Sequence, residues 1–254
     1  MTPAELMTLV AVATLGHVMA LFWCHAVNRQ WRISRRVIYD LPINPQQLRR
    51  EIRNSLHAPI HAVILALFLY LGCFGARSIA SFVGTLVLAA VWAEIWHYSS
   101  HRAFHLNALH WIHSEHHRSR LNTPFTAISF SFSEKLIFDL GHLGVLALFS
   151  LLVSLNFFAI ATWYILHLII NSFSHANFEM KSARYNRSLG KILTTTTYHS
   201  LHHARYTGNH GLGTRVFDRL FGTEWDDYEP LYDNITHDKP LTGLREMVGG
   251  NKTA

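Results

Sequence analysis

The stretch IASFVGTLVLAAVWAEIWHYSSH, residues 79–101, joins a long apolar run to a pair of histidines. Residues 79–96 approach the roughly 20 helical residues that cross the hydrocarbon core of a bilayer. His97 and His101 follow this run, and their spacing places both imidazoles on one face of a helix. The stretch therefore predicts a membrane helix whose end presents two potential metal ligands.

Further apolar runs of similar length indicate an integral membrane protein. Half of the residues are apolar and 15% are charged, against about 25% charged in typical soluble domains. The candidate membrane helices are residues 6–27, 57–75, 79–96, 136–155 and 157–173. We expect an all-α fold with four to five membrane helices, since Asp139 and His142 interrupt the fourth run and leave the last two runs the least certain to cross fully.

The polar segments are too short to form separate domains. We expect residues 1–254 to form a single integral membrane domain, in which residues 97–135 and 174–254 make a cytosolic helical cap that carries the histidines. The first apolar run lacks a basic segment before it and an obvious cleavage site, so it is interpreted as a retained anchor.

Arginines set the expected orientation of the bundle. The net charge is +6, and the segment between the first two apolar runs is especially basic, with Arg29, Arg32, Arg35, Arg36, Arg49, Arg50 and Arg53. Short basic loops stay on the cytoplasmic side, which places all the histidine boxes on that side. The charge is better explained by this topology than by nucleic-acid binding, so no nucleic-acid partner is expected. The small cap favours a bacterial inner membrane.

Four histidine-containing boxes gather nine of the 19 histidines. The boxes are His97-x3-His101, His113-x2-His116-His117, His175 and His199-x2-His202-His203. In the repeated pattern, the first and second histidines share a helix face and the third lies beside them, so the box can reach two neighbouring metals. Nine histidines exceed the roughly four to six ligands that one ion accepts. Two ions are therefore expected.

Other polar residues near the boxes are candidates for supporting roles. His167 and Asn171 precede His175 on one helical stripe, with His167 about 12 Å deeper along the axis. Together with His210, they are possible residues that orient a ligand or line a pocket. The remaining histidines are expected to be ordinary interface or hydrogen-bonded residues: His17, His25, His57, His61, His105, His110, His142 and His237.

The boxes, together with GNHGLG at 208–213 and FDRLFGT at 217–223, resemble the fatty acid hydroxylase/sterol desaturase superfamily over about residues 86–228. This resemblance implies a membrane-embedded non-haem di-iron oxygenase that hydroxylates or desaturates a lipid with O2. It implies two iron ions, for which zinc could substitute in a preparation. The implied metal ligands are His97, His101, His113, His116, His117, His175, His199, His202 and His203.

The resemblance also raises the question of the electron source. Some fatty acid 2-hydroxylases carry a fused cytochrome domain, whose His-Pro-Gly-Gly haem motif is missing here. A separate donor is therefore expected: a cytochrome b5-like protein, a ferredoxin or a reductase. At Asn171, some relatives carry a histidine, which either reduces the ligand set in this chain or makes Asn171 an unusual neighbour of the metals.

Two other classes of function are weighed against an oxygenase. A zinc-dependent membrane hydrolase has little support, because His113-Ser114-Glu115-His116 is not the His-Glu-x-x-His motif. A membrane metal transporter would place its ligands along a path near mid-membrane, whereas these boxes gather at one interface. No residue separates hydroxylation from desaturation or identifies the lipid.

Overall fold

The computed structural model describes residues 2–30 and 36–248, and Arg32 and Arg35 lie outside these ranges. Over the described residues the chain is helical, with isolated bridges in place of strands, which confirms the predicted all-α class. The helices are α1 Pro3–Gln30, α2 Pro45–Asn54, α3 Ile60–Tyr70, α4 Ile79–Phe104, α5 His110–His117, α6 Phe132–Phe149, α7 Phe157–Ser174, α8 Ala183–Asn186, α9 Thr196–Arg205, α10 Val216–Phe221 and α11 Tyr228–Thr236.

Four helical segments of the described chain are long and apolar enough to cross a membrane. They are Pro3–Arg29, Pro45–Tyr70, Ile79–Phe104 and Phe157–Ser174. The second segment begins twelve residues earlier than the predicted start at residue 57, because α2 continues through a short 3-10 turn into α3. Asn44 starts this segment by accepting a hydrogen bond from the Gln46 N–H.

The fourth predicted run, residues 136–155, is not among these four segments. Its residues fall largely in α6, which ends at Phe149. The helix carries Glu134, Lys135 and Asp139, all of which are buried in the bundle. Three charged side chains within these 18 residues make α6 a poor membrane span, so the described residues contain four candidate spans.

α6 packs closely against α4 at a glycine. A Cβ atom added at Gly141 would lie 2.0 Å from the Trp96 ring. The indole N–H of Trp96 donates to the Phe138 carbonyl at 2.9 Å, and that of Trp92 donates to the His142 carbonyl at 3.2 Å. The glycine that interrupts the apolar run is therefore the point where the two helices approach each other.

The cap is held together by a buried arginine and a buried aspartate. The Arg215 side chain is fully buried and donates to Glu224 at 2.6 Å and to the Gly190 carbonyl at 2.6 Å. Asp218 accepts hydrogen bonds from the Tyr198 hydroxyl and from the backbone N–H of Gly211. Because Tyr198 belongs to α9, these contacts fix the helix that carries the last histidine box.

Candidate metal centre

Nine buried or half-buried histidines form two compact groups at one end of the bundle. In each group, one ring nitrogen from every member lies within 4.8 Å of those of the others. The first group is His101, His105, His113, His117 and His202. The second group is His116, His175, His199 and His203. The ends of α4 and α7 and both short helices α5 and α9 supply these rings.

The two copies of the His-x2-His-His motif serve the groups in opposite ways. On α5, His113 and His117 are one turn apart and join the first group, while His116 joins the second. On α9, the outer pair of the motif joins the second group, while His202 joins the first. Each helix therefore connects both groups, which holds them side by side.

Backbone and carboxylate oxygens orient most of these rings. In six of them the Nδ1–H donates to an acceptor outside the groups. The pairs are His101 with the His210 carbonyl at 2.8 Å, His113 with Glu134 at 2.5 Å, His116 with the Ser129 carbonyl at 3.1 Å, His175 with the Asn171 carbonyl at 2.9 Å, His202 with the Gly208 carbonyl at 2.6 Å and His203 with the Ser119 carbonyl at 3.0 Å. Each bond leaves the Nε2 lone pair free to bind a metal.

The spacing of the inward nitrogens fits a shared cation. The Nε2 atoms of His116 and His175 lie 3.4 Å apart, those of His199 and His175 3.0 Å, and those of His202 and His117 3.1 Å. His116 and His175 both use their ring proton at Nδ1, so their Nε2 atoms cannot hydrogen-bond each other. Two nitrogens about 2.1 Å from one ion are separated by about 3.0 to 3.4 Å.

Several inward nitrogens have no other partner. The Nε2 atoms of His101, His105, His113 and His203 are buried without a hydrogen bond among the described residues. Leaving such an atom unpaired costs about 1–3 kcal/mol. A metal ion in each group would satisfy these atoms, so the residues present fit a pair of metals.

Burial keeps the cap histidines in the neutral form that binds metal. Desolvation lowers the pKa of His105 to about 3 and that of His116 to about 4. Desolvation, reinforced by neighbouring imidazoles, lowers the pKa of the other cap histidines in the two groups well below the usual value: His113, His117, His175, His199, His202 and His203. At neutral pH these rings carry no competing proton.

Eight of the nine histidines predicted as ligands lie in the two groups, and His97 lies outside them. The His97 ring is next to His101, with centroids 5.0 Å apart, and both of its nitrogens are buried without a partner. His105, which was expected to be an ordinary interface or hydrogen-bonded residue, lies in the first group. Its signal was present, since His101 and His105 repeat the spacing of His97 and His101.

The predicted supporting residues differ in what they contact. His210 and Asn171 accept ring protons through their backbone carbonyls, and the Asn171 side-chain amide donates to the Ala127 carbonyl at 3.0 Å. His167 lines a cavity below the second group. Glu134 in the first turn of α6, which the histidine pattern does not reveal, accepts the His113 ring proton.

A narrow cavity of about 90 Å³ lies against both histidine groups. His101 and His113 of the first group and His116, His175 and His199 of the second form part of its wall. Other parts of its wall are aromatic or aliphatic and include Trp96, Phe104, Phe130, Phe138, Ile128 and Leu168. The site is thus a paired histidine centre that opens onto an apolar cavity inside a membrane bundle.

Comparison with known proteins agrees with this class of site. The family model for fatty acid hydroxylase matches residues 86–223, which is more than half of the chain. The chain belongs to this family, within the fatty acid hydroxylase/sterol desaturase superfamily, as the sequence resemblance predicted. No solved structure matches the chain significantly.

Curated relatives come from plants and a fungus. The chain is 29% identical over 179 residues to the very-long-chain aldehyde decarbonylase GL1-6 of Oryza sativa subsp. indica, covering 67% of this chain and 28% of that protein. It is 27% identical over 150 residues to the methylsterol monooxygenase erg25B of Aspergillus fumigatus, covering 58% of this chain and 50% of that protein. The chain thus matches only part of each relative, and these sources do not support the expected bacterial origin.

Proposed function

We propose that the protein is a membrane-bound di-iron oxygenase that hydroxylates or desaturates a C–H bond of a lipid. The observation that carries this proposal is the pair of histidine groups, oriented through Nδ1 and facing an apolar cavity. The family match supports it, and the names of the relatives support a lipid substrate. The five histidines of the first group would hold one iron, and the four histidines of the second group would hold the other.

The bound irons would supply the activation of O2, and the chain supplies position and environment. The carbonyl and carboxylate acceptors hold each imidazole in one orientation and one tautomer. The aromatic wall of the cavity, which includes Trp96 and Phe138, excludes water and holds an apolar chain against the histidines.

The position of Arg50 supports a cytoplasmic centre. Arg50 donates to the Ser119 hydroxyl at 2.9 Å, and the Ser119 carbonyl accepts the His203 ring proton. The arginine-rich segment and the histidine groups therefore lie at the same end of the bundle. Because basic segments remain in the cytoplasm, we place the centre on that side.

Two openings provide routes to the centre. An open depression lined by Arg102, Arg118 and Tyr206 reaches His105 and His117, which gives a separate electron donor access to the first group. On the other side, an apolar groove of about 570 Å³ runs between α4 and α7. Trp163 borders both this groove and the central cavity, so the groove is the route we assign to the lipid.

The test is oxygen-dependent lipid modification in a host that expresses the chain. Total lipids are compared by mass spectrometry between wild type, His202→Ala, and His237→Ala, which changes an exposed histidine outside the centre. We expect products that carry one added oxygen or lack two hydrogens in wild type and His237→Ala, and none in His202→Ala or without O2. Identical lipids in all samples would contradict the proposal, and a product that forms without O2 would favour a hydrolase.

A further inference from the structure

The far end of the central cavity is polar, although it lies inside the bundle. Asp139 on α6 accepts a hydrogen bond from the Nδ1–H of His61 on α3 at 3.1 Å and from Lys135 at 2.8 Å. The His61 ring stacks on Tyr164 of α7, with centroids 3.7 Å apart. We call His61, Lys135, Asp139 and Tyr164 the polar layer, and all four line the cavity.

The polar layer closes the cavity on the side away from the metal groups. Ile64 follows His61 by one helical turn, Leu143 follows Asp139 by one turn, and Ile160 precedes Tyr164 by one turn. These apolar residues pack together in one buried cluster. Along α7, Tyr164 lies eleven residues before His175, about 16 Å along the helix axis.

An imidazole nitrogen of this layer has no hydrogen bond in the part of the chain that the structure describes. The Nε2 atom of His61 is buried without a hydrogen-bond partner among the described residues, and the residue is 3% exposed. Since Asp139 accepts the proton on Nδ1, Nε2 carries a lone pair and can only accept. Lys135 has donor hydrogens beyond the one that Asp139 accepts. An acceptor and a donor therefore face the same closed end.

We propose that the polar layer binds the hydroxyl group of a lipid alcohol, which donates to His61 Nε2 and accepts from Lys135. This inference rests on the proposed function, because it assigns the substrate of that site. Lys135 and Asp139 already neutralise each other, so a carboxylate or ammonium ligand would bring an unpaired charge into the bundle. An aldehyde or a methyl ether cannot donate to His61.

The proposal also fixes which part of the lipid reacts. With the hydroxyl group at the polar layer, the histidine groups face another part of the lipid, since they form a different part of the cavity wall. The reaction therefore takes place away from the carbon that bears the hydroxyl group, in the apolar part of the molecule.

The experiment measures binding to the full-length protein in lipid nanodiscs, in competition with tritiated hexadecanol. Hexadecanol is compared with hexadecyl methyl ether, and cholesterol with its methyl ether, so that a straight chain and a sterol are both covered. We expect the alcohol of at least one pair to bind about tenfold more tightly than its ether, since the ether leaves His61 unpaired. Equal binding of alcohol and ether within both pairs would overturn the proposal. This comparison uses only the wild-type protein.

The variant His61→Phe removes the acceptor and keeps an aromatic ring against Tyr164. We expect the preference for the alcohol to fall to about twofold or less. His17→Phe makes the same change on α1, outside the cavity, and we expect it to keep the wild-type preference. If His61→Phe kept the wild-type preference for the alcohol, His61 would not be the acceptor of the hydroxyl group.

His202→Ala separates this inference from the proposed function. This variant removes a histidine of the first metal group, which does not belong to the polar layer. We expect it to lose lipid oxidation and to keep the alcohol preference. In the wild-type protein, an alcohol preference without any oxygen-dependent product would support the subsite and refute the oxygenase. An oxygen-dependent product without an alcohol preference would refute only the subsite.

Discussion

The Nε2 atoms of His116 and His175 face each other at 3.4 Å, although both rings donate their only proton elsewhere. Two lone pairs at this distance repel each other in the absence of a cation. A metal ion bound to both nitrogens would remove this repulsion.

Metal binding should stabilise the fold. Removing metal with a chelator leaves the buried ring nitrogens unpaired, so we expect the melting temperature to fall and to recover when Fe(II) or Zn(II) is added back. Differential scanning fluorimetry in detergent measures this shift. A melting temperature that does not respond to chelator or metal would show that the rings bind no ion.

The two groups should lose their metals independently. Because they share no histidine, His105→Ala is expected to lose the metal of the first group and keep the second, whereas His97→Ala keeps both. Metal analysis of the purified variants measures this, with His237→Ala as the surface control. Loss of metal in His97→Ala together with full metal in His105→Ala would reverse our assignment.

The metal-free protein should be unstable in acid. His105 and His116 have a pKa of about 3 and about 4 in the folded protein, against about 6.5 in the unfolded chain. As the pH falls below about 6.5, only the unfolded chain takes up these protons, so stability falls toward pH about 4. Above about pH 6.5 these two histidines should leave the stability of the protein almost unchanged. A melting temperature that stays constant from about pH 7 to pH 5 would contradict the neutral state of these rings.

The close approach of α4 and α6 should not tolerate a side chain. In Gly141→Ala the new Cβ meets the Trp96 ring, and we expect a loss of about 1–3 kcal/mol in unfolding free energy. Gly84→Ala on α4 is the matched control, because its Cβ would meet nothing within 4 Å. Chemical denaturation in detergent compares the two. Equal stability of both variants would argue against this packing.

The buried arginine of the cap should matter more than its exposed neighbour. Arg215→Met leaves Glu224 without its closest partner and is expected to cost about 3–5 kcal/mol. Arg219→Met removes a 41% exposed side chain that contacts the same carboxylate, and we expect at most about 1 kcal/mol. Denaturant titration measures both values, and a similar cost for the two would refute the role of burial.

Much of the site could be predicted from the sequence, because the boxes follow the geometry of single helices. The spacing within α5 and α9 predicts their histidines as candidate ligands from the geometry of each helix alone. The choice between His97 and His105 could not be made in this way. Three histidines repeat at the same spacing along α4, and only its crossing with α5 decides which two face the first group.

The polar layer was beyond prediction for a related reason. His61, Asp139 and Tyr164 come from three separate helices, and each one alone resembles an isolated polar residue in an apolar run. Their meeting depends on how α3, α6 and α7 pack. Asp139 likewise appeared as an interruption of a membrane helix, whereas in the structure it is a buried partner of His61.

The most direct test of a paired histidine centre is the metal itself. The protein is purified without oxygen from cells grown with added iron, and its metal content and iron X-ray absorption spectrum are measured. We predict about two irons per chain in a coordination dominated by imidazole nitrogen, with about one remaining in His199→Ala. One iron or fewer in the wild-type protein, or coordination mainly by sulphur or carboxylate oxygen, would contradict the account.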